Sequence, residues 1–508
     1  MSEVLTAAQM KAIEAAAIAS RAVTGLELME RAGAGVVAAV LEEWPEMALT
    51  PQRAVVLCGP GNNGGDGFVV ARLLAGRGWA VEVYLYGDAG KLPPDARVNY
   101  ERWCEVGEVT GIPPDGDFDV IVDALFGTGL TRPLDGDLVA AIEGLVERTL
   151  LAGPNSKTKI VAVDIVSGVC ADSGRELGCP APYFAHLTVT FHRAKAGHYM
   201  GHYTVAPWAL RIVDIGLEDT EGAISLTSCP RRRLGKPVGH KFSHGHVLIV
   251  SGDHGHAGAA RMAARAALRI GAGLVTVASP LGAMAENAAR LDAVMLRLVA
   301  DAVGLAEVLA DARITAVCLG PGMGVARAAE LLPVAVRAKH APYIVLDADA
   351  LTAVAQDPAL FALLHDRCVL TPHGGEFARL FPDIAEKLAA PAIKGPAYSK
   401  VDATREAAAR AGCVVLYKGA DTVIAAPDGR CSINAAVYER AAPWLATAGS
   451  GDVLAGFITG LLARGFQPMQ AAETAAWLHV ECARSFGPGL IAEDLPEELP
   501  KVFRALGV

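Results

Sequence analysis

Three glycines, Gly59, Gly61 and Gly64, recur within GPGNNGGDG (residues 59–67) at the spacing G-x-G-x-x-G. After a short apolar run, glycines at this spacing let backbone N–H groups approach a pyrophosphate, and the dipole of a following helix favours its charge. The segment therefore indicates a dinucleotide site. It also holds two asparagines and an aspartate, which backbone recognition of phosphate does not require, so the dinucleotide could be a substrate instead of a redox cofactor.

Polar side chains also follow two later apolar runs. Asp123 comes after the run DVIV, and Asp164 and Ser167 come after KIVAV. Asn63, Asp123 and Ser167 offer hard oxygen atoms of the kind that suits an alkali or alkaline-earth cation. Asp164 then remains free for proton transfer. The alternatives are that Asp123 and Ser167 cap helices and that Asp164 satisfies loop amides.

A second glycine-rich segment, TAGSGDVLAG at residues 447–456, indicates phosphoryl transfer. Gly449 and Gly451 free backbone N–H groups at the start of a long apolar helix, where they can gather charge on a phosphoryl group. Asp452 follows at once and can take the proton of an attacking hydroxyl. The sequence has no G-x-x-x-x-G-K-[ST], which excludes a P-loop site. The alternative is a glycine turn with Asp452 as a helix N-cap.

Two further segments of this half could hold a nucleotide. LYKGADTVIAAPDG (residues 416–429) predicts a hairpin whose turn, Lys418 to Thr422, could cradle a phosphate. Lys418 could equally be a surface lysine. The glycine loop GPGMG at residues 320–324 follows an apolar run and could approach a ligand closely.

Acidic and histidine side chains complete the second set of candidates. His373 and Glu376 in LTPHGGEFARL follow a predicted strand, and Glu376 could also be an acid in the first turn of a helix. Asp347 and Asp349 could contact Mg²⁺ through water, or they could cap a helix that begins at Ala350.

Alternating apolar runs and helical segments must position these residues, and they predict an α/β protein of two domains. We expect a Rossmann-like, doubly wound sheet in the first domain (residues 1–218) and an α/β/α layered second domain (residues 235–508), joined by a polar linker (residues 219–234). The predicted strands lie at residues 53–58, 80–87, 119–127, 159–168 and 187–193, and at 246–252, 273–279, 316–322, 343–349, 368–374 and 413–419.

Composition excludes several classes of function. The chain has 508 residues, 52% of them hydrophobic, and a net charge of −10, so no general basic field attracts nucleic acid or anionic lipid. Its ten cysteines include no C-x-x-C pair, which favours reduced thiols over a zinc site or disulfides. No apolar run reaches the length of a membrane span. We therefore expect a cytoplasmic protein without nucleic-acid or membrane partners. As a separate expectation, we predict that it forms a homo-oligomer.

The first half resembles the epimerase domain of the NAD(P)H-hydrate repair enzymes. GPGNNGGDG, VDALFGTGL, VDIVSG and TVTFHRAKAGHY occur in the family's order over about 215 residues, although Val166 stands where the family usually has proline. The resemblance implies that Asn63, Asp123 and Ser167 bind potassium and that Asp164 contacts the reacting nicotinamide. The residues implied to hold the hydrated dinucleotide are Asn62, Asn63, Gly64, Gly65, Asp66, Gly127, Thr128, Gly129, Leu130, Thr131, Arg132 and Pro133.

The second half resembles the ribokinase-like fold and, more closely, the ADP/ATP-dependent NAD(P)H-hydrate dehydratases. HKFSHGHVLIVSGDHGHAGAA, LGPGMG, VLDADAL, LTPHGGE, YKGADTVI and TAGSGDVLAG occur in family order from about residue 235 onward, with Phe242 where the family usually has glycine. The resemblance implies ADP or ATP and magnesium as co-substrate and cofactor. The implied hydrate residues are Ala259, Gly324, His373 and Asp452, and the implied nucleotide residues are Lys418, Gly419, Ala420, Asp421, Thr422 and Gly451.

Together the two resemblances imply one repair enzyme with two activities on hydrated NADH and NADPH: epimerisation of the R and S forms, and dehydration of the S form. Three alternatives stay open. Asp88 could be the ribose-binding acid of a dehydrogenase. The second half could be a vitamin or sugar kinase fused to a Rossmann domain. The first half could be a binding module without catalytic activity.

Overall fold

The computed structural model describes residues 3–112, 116–151, 158–178, 185–201, 209–218, 222, 224–228 and 231–508. The chain divides into two compact units. We call them the N-terminal unit (Glu3–Ile224 with Ala390–Ser399) and the C-terminal unit (Ser225–Ala389 with Lys400–Val508). Within the described ranges, no helix combines the length and the apolar character needed to cross a membrane.

The N-terminal unit alternates strands and helices, as the sequence predicts. Its elements are β1 (Glu3–Val4), α1 (Ala7–Ala19), α2 (Gly25–Glu43), β2 (Arg53–Cys58), α3 (Asn62–Ala75), β3 (Ala80–Leu85), α4 (Pro94–Cys104), β4 (Val109–Thr110), β5 (Val120–Ala124), α5 (Gly136–Leu151), β6 (Lys159–Val163), β7 (Leu187–Phe191) and β8 (Ala209–Val213). All five predicted strands are present within their predicted ranges, and β1, β4 and β8 are additional.

A seven-stranded parallel sheet forms the centre of this unit. The strand order is β4-β3-β2-β5-β6-β7-β8, and every pairing is parallel. The residues of β2 alternate between two apolar cores, with Ala54 and Val56 in one and Val55 and Leu57 in the other. Both faces are therefore covered, as in a doubly wound sheet. The order in which strands are added to the sheet reverses between β2 and β5, and open α/β sheets bind ligands at such a point.

The C-terminal unit contains the remaining elements. They are β9 (Ile224–Leu226), α6 (Arg231–Leu234), β10 (His246–Val250), α7 (Gly258–Arg269), β11 (Leu274–Ser279), α8 (Met284–Ala288), β12 (Met295–Leu298), α9 (Ala302–Val308), β13 (Ile314–Leu319), α10 (Val325–Val336), β14 (Tyr343–Leu346), α11 (Ala348–Gln356), α12 (Pro358–Phe361), β15 (Cys368–Leu370), α13 (Gly374–Leu380), α14 (Pro382–Ala389), α15 (Lys400–Ala411), β16 (Val414–Tyr417), β17 (Asp421–Ala425), β18 (Cys431–Ala435), α16 (Ser450–Ala463), α17 (Pro468–Phe486) and α18 (Asp494–Leu506).

The sheet of this unit is mixed. Its strands follow the order β9-β18-β17-β16-β15-β14-β13-β10-β11-β12, with β10 to β16 parallel and β17 antiparallel to both its neighbours. The predicted hairpin is confirmed as β16 and β17. The order in which strands are added to the sheet reverses between β10 and β13, so the loops after these parallel strands are placed for ligand binding. Part of the predicted linker lies outside the described residues, and its described part contains β9, which pairs with β18.

Close packing of α16 on α7 depends on two glycines. A Cβ on Gly456 would lie 2.2 Å from the carbonyl oxygen of Ala263, and one on Gly460 would lie 2.4 Å from the Ile270 side chain. Both distances are far below van der Waals contact, so larger side chains would push the helices apart. The packing fixes the start of α16, where TAGSGD ends, beside α7.

Candidate functional site

The polar residues of GPGNNGGDG lie in the first two turns of α3, and Asn63 meets the ends of other strands. The helix begins at Asn62, with Gly61 as N-cap. A Cβ on Gly127 would lie 2.9 Å from Oδ1 of Asn63 and 2.8 Å from Oδ2 of Asp164. The loops after β2, β5 and β6 therefore converge on one point, as the sequence predicts, and glycine is required there because both side chains approach its backbone.

Asp164 is held by a buried hydrogen-bond network. The sequence analysis predicted that it would be free for proton transfer, and the structure shows that it is not free. Its backbone φ is +68°. Its Oδ1 accepts hydrogen bonds from Lys195 Nζ at 3.0 Å and Thr190 Oγ1 at 2.9 Å, and its Oδ2 accepts one from the Thr128 backbone N–H at 2.8 Å. The Lys195 side chain is only 1% exposed. Asp164 and Lys195 thus form a buried, hydrogen-bonded ion pair.

His198 supports this pair from the backbone side. Its Nδ1 accepts a hydrogen bond from the Lys195 N–H at 2.9 Å, and its Nε2 lies 2.7 Å from the Asp164 carbonyl oxygen. Because a carbonyl only accepts, Nε2 carries the proton. Burial, together with the charge of Lys195, lowers the pKa of His198 to about 4. The imidazole is neutral at physiological pH and fixes the positive-φ conformation of Asp164.

Three acids in this region have different proton affinities. Burial alone would raise the pKa of Asp164, but Lys195, His198 and the Thr128 hydrogen bond outweigh it and lower the pKa to about 2. Burial and the negative charge of Asp164 raise the pKa of Glu14, and they raise the pKa of Asp66 well above its usual range. The N-terminal unit therefore combines a carboxylate that stays ionised with carboxyl groups that retain protons more readily.

Two of the predicted potassium ligands contact each other directly. Ser167 Oγ donates to Asp123 Oδ1 at 2.6 Å, and the Ser167 N–H donates to Asp123 Oδ2 at 2.8 Å. Both residues are at most 1% exposed. Asn63 Nδ2 is buried without a hydrogen-bond partner. Neither Asp123 nor Ser167 acts as a helix cap, and all three residues lie at the same edge of the sheet.

A cavity of about 710 Å³ opens at this edge. Its described lining includes Lys11, Glu14, Asn62, Asn63, Gly127, Thr128, Gly129, Leu130, Thr131, Arg132, Asp164 and Pro396. The predicted substrate residues Gly64, Gly65, Asp66 and Pro133 are not among the described lining residues, and neither is Asp88. Asp88 instead accepts a hydrogen bond from the Gly90 N–H at 2.8 Å, at the N-cap of a short 3-10 helix.

In the C-terminal unit, Asp452 lies in the first turn of α16. Gly449, with φ +89°, is the N-cap, so Asp452 is not a cap. Burial is the main cause that raises the pKa of Asp452, and the negative charge of Asp347 adds to it. Together they outweigh Lys418 and bring the pKa to about 7. A carboxyl group with this pKa can accept a proton near neutral pH and pass it on.

Lys418 points into this acidic cluster and is not a surface lysine. Its Nζ lies 2.8 Å from Asp347 Oδ1 and 3.6 Å from Glu376 Oε2. Burial would lower its pKa, but Asp347 and Glu376 raise it instead. A Cβ on Gly451 would lie 3.4 Å from the ammonium group. The structure therefore brings Lys418, predicted to bind nucleotide, to the start of α16.

The rest of the predicted nucleotide segment forms the turn between β16 and β17. Thr422 Oγ1 donates to the Gly419 carbonyl at 2.7 Å and accepts from the Gly419 N–H at 3.1 Å. Asp421 pairs with Lys400 at 2.6 Å, and Ala420 lies between them in the turn. These side-chain bonds hold the turn closed, and Gly419 and Ala420 are exposed at its tip.

The predicted magnesium pair is engaged with protein groups. Asp347 Oδ1 accepts from Thr371 Oγ1 at 2.8 Å in addition to Lys418, and Asp349 Oδ2 accepts from the Gly324 N–H at 2.8 Å. The helix begins at Ala348 and Asp347 occupies its N-cap position, but no side-chain capping bond forms. In the part of the chain that the structure describes, no group of three or more His, Cys, Asp or Glu is arranged to hold a metal.

Ala259 and His373 lie at the starts of two helices of this unit. Ala259 is in the first turn of α7, and its Cβ lies 3.4 Å from the position of a Cβ on Gly322. His373 is the N-cap of α13, where its Nδ1 accepts from the Gly375 N–H at 3.0 Å. Glu376 completes this capping box, which confirms it as an acid in the first turn of a helix, and it also lies 3.6 Å from Lys418 Nζ.

Several residues of these sites were not singled out from the sequence. They are Glu14, Thr190, Lys195, His198, Thr371, Lys400 and His479. The only signal for Lys195 was a lysine within the small-residue run AKAG of a family motif. His479 Nε2 lies 2.9 Å from the Ser450 carbonyl oxygen and supports the start of α16. Phe242 precedes β10 and packs under Arg313, at the opposite end of the strand from the glycine loops.

Known families match both units. Residues 25–197 match the family described as YjeF-related protein N-terminus, and residues 247–501 match the family described as NAD(P)H-hydrate dehydratase. The fold and the two strand-end sites define a two-unit α/β enzyme that acts on nucleotides.

Individual relatives match either nearly the whole chain or one part of it. The bifunctional NAD(P)H-hydrate repair enzyme Nnr of Moorella thermoacetica is 35% identical and covers 99% of this chain and 97% of its own length. The NAD(P)H-hydrate epimerase of Rhodobacter capsulatus is 50% identical over 39% of this chain and 92% of its own. A Bacillus subtilis ADP/ATP-dependent NAD(P)H-hydrate dehydratase structure, co-crystallised with ATP/Mg²⁺, is 26% identical with a TM-score of 0.43 and covers 54% of this chain and 95% of its own. The chain belongs to the family of bifunctional NAD(P)H-hydrate repair enzymes.

Proposed function

We infer that the chain epimerises the R and S forms of hydrated NADH and NADPH, and that it dehydrates the S form with ADP or ATP as phosphoryl donor. Family membership carries this conclusion, and the two carboxyl groups with different pKa values support it. We assign epimerisation to the N-terminal unit and dehydration to the C-terminal unit.

Dehydration requires a better leaving group than hydroxide. Asp452 takes the proton of the hydrate's hydroxyl as its oxygen attacks the terminal phosphoryl group, while Lys418 and the N–H groups at the start of α16 stabilise the negative charge. The ring nitrogen lone pair then expels phosphate, and loss of a proton from the adjacent ring carbon restores the dihydropyridine. The products are NAD(P)H, phosphate, and AMP from ADP or ADP from ATP.

Epimerisation requires a bond at the hydroxyl-bearing carbon to break and re-form on the opposite face. Glu14, which lines the cavity and has a raised pKa, can protonate the departing hydroxyl. The ionised Asp164 stabilises the positive charge that develops on the ring. Asp164 thus acts mainly through its charge, and proton transfer is left to a group that holds a proton at neutral pH.

Two cations fit the residues present. The oxygens of Asn63, Asp123 and Ser167 suit potassium, which would neutralise the buried Asp123 beside the substrate. Mg²⁺ keeps water and phosphate ligands, so Asp347 and Asp349 can hold it together with the nucleotide, where it would offset phosphate charge.

If potassium binds at Asn63, Asp123 and Ser167, Asp123→Ala should weaken hydrate binding in epimerisation alone. Replacing potassium with sodium should reproduce that loss in the unaltered chain but have no further effect in the variant. Equal epimerisation in both salts would contradict this site. The homo-oligomer stays a prediction.

The test of the overall function uses both hydrate epimers. The full chain is incubated with mixed epimers, Mg²⁺ and ADP or ATP, and reduced-cofactor absorbance and free phosphate are followed. We expect complete recovery of NAD(P)H with one phosphate released per cofactor. A stable phosphorylated product without reduced cofactor would instead show a vitamin or sugar kinase.

A further inference from the structure

A segment distant in sequence lies against the loop Gly127–Pro133 of the N-terminal unit, which we call the substrate loop because it contains predicted substrate residues. Ala390–Ser399, between α14 and α15 in sequence, belongs to that unit. The Gly395 N–H donates to the Thr131 carbonyl oxygen at 3.0 Å, and a Cβ on Gly395 would lie 2.9 Å from the carbonyl oxygen of Leu130. The segment therefore touches the backbone of the loop Gly127–Pro133, at a distance that favours glycine.

Hydrogen bonds anchor the segment on both sides of this contact. The guanidinium group of Arg175 donates to the carbonyl oxygen of Tyr398 at 3.1 Å and to that of Ala390. The Gly178 N–H donates to the Ala392 carbonyl oxygen at 2.8 Å. These bonds all use the backbone of the segment, so they fix its path whatever its side chains are.

An apolar cluster joins the segment to the loop. Its buried members are Leu130, Leu134, Cys170, Leu177, Ala392 and Ala397. Leu130 belongs to the substrate loop and also lines the cavity, and Pro396 of the segment lines the same cavity. The segment thus packs against the loop through this apolar cluster, and its Pro396 forms part of the cavity wall.

We propose that Ala390–Ser399 is a positioning segment of the epimerase site, which holds Gly127–Pro133 in the conformation that binds the hydrate. This rests on the proposed epimerase function. A loop supported on one side only would sample further conformations, and small displacements of substrate-positioning groups lower rates strongly, by up to about 10²-fold per ångström. Release of the segment should therefore weaken hydrate binding in the N-terminal unit and leave dehydration unchanged.

The test uses the full chain and Arg175→Ala, which removes two anchors and does not alter a described residue of the cavity lining. We expect the epimerisation KM for the hydrate to rise about tenfold with a smaller change in kcat, because positioning is lost before chemistry. Arg175→Lys should recover part of the loss. The control is Arg211→Ala, which removes a partly exposed ion pair with Glu43 elsewhere in the same unit; its epimerisation should match the unaltered chain.

A second variant, Gly395→Val, places atoms where the loop backbone lies. It should raise the same KM at least as much, with dehydration intact. Unchanged epimerisation KM in both variants would overturn the proposal, and so would a parallel loss of dehydration, which would show a general disturbance of the fold. If the unaltered chain does not epimerise hydrates, the proposed epimerase function is wrong. That result is distinct from failure of the positioning proposal, which only the variants can show.

Discussion

Each of the two sites contains a lysine that is paired with an aspartate. The candidate catalytic aspartates of the two sites, Asp164 and Asp452, nevertheless have pKa values that are shifted in opposite directions. Lys195 contacts Asp164 directly at 3.0 Å, and the pKa of Asp164 falls to about 2. Lys418 is bonded to Asp347 at 2.8 Å instead, and the pKa of Asp452 rises to about 7. The presence of a lysine therefore does not set the pKa of the aspartate: burial and neighbouring acids raise the pKa of Asp452, whereas direct contact with Lys195 helps to lower that of Asp164.

This difference matches the chemistry that each unit must perform. Epimerisation passes through a positively charged ring, which a permanently ionised carboxylate stabilises. Phosphoryl transfer needs a base that takes a proton at neutral pH and can release it afterwards. Burial, together with the negative charges of Asp347, Glu376 and Asp349, raises the pKa of Asp452 and produces such a base without a histidine.

The largest effect should come from Asp452→Asn. Loss of the base should lower the dehydration rate about 10²–10⁴-fold, while epimerisation and nucleotide binding persist. Phosphate release measures the first activity, and exchange between separated hydrate epimers measures the second. Dehydration close to that of the unaltered chain would show that Asp452 is not the base.

Lys195→Met should break the N-terminal site by leaving Asp164 buried without its cation. Removal of one partner of a buried ion pair costs about 3–5 kcal/mol in the free energy of unfolding, to be measured by denaturant titration at pH 7. Lys195→Met combined with Asp164→Asn should recover much of this loss. Arg211→Met, at a partly exposed pair, is the control and should cost about 1 kcal/mol or less. Equal losses at both sites would contradict the buried pair.

The pH dependence should separate the two units further. Dehydration needs ionised Asp452, so its rate should be constant above pH 7 and fall about tenfold per pH unit below it. Between pH 7 and 5, Asp164 stays ionised and His198 stays neutral, so neither group lowers epimerisation in that interval. Parallel pH profiles for the two activities would remove the distinction between the aspartates.

The fold and the positions of the glycine loops could be predicted from the sequence because both depend on local patterns. Continuous apolar runs define the central strands, and glycine spacing defines the turns that follow them. Among the strands that the sequence did not predict, β4 and β12 are short and lie at sheet edges, where exposed positions interrupt the apolar pattern.

The properties of the two aspartates could not be predicted in this way. Lys195 meets Asp164 only because β6 and β7 are adjacent in the sheet, and Lys418 meets Asp347 only because β14 and β16 flank β15. The support of the substrate loop by Ala390–Ser399 depends on tertiary packing in the same manner. Residue types and spacing identified the candidates, and the sheet order determines which charges interact.

The central claim is that one chain converts both epimers through two different aspartates. Asp164→Asn in the full chain tests it most directly, with mixed hydrate epimers, ADP, Mg²⁺ and the plateau of reduced-cofactor recovery as the measurement. We expect the variant to consume the S form at the normal rate and then stop, with the R form consumed only by slow spontaneous exchange, whereas Asp88→Asn should reach complete recovery. If Asp164→Asn also reaches complete recovery at the rate of the unaltered chain, the N-terminal unit is a binding module and the account is contradicted.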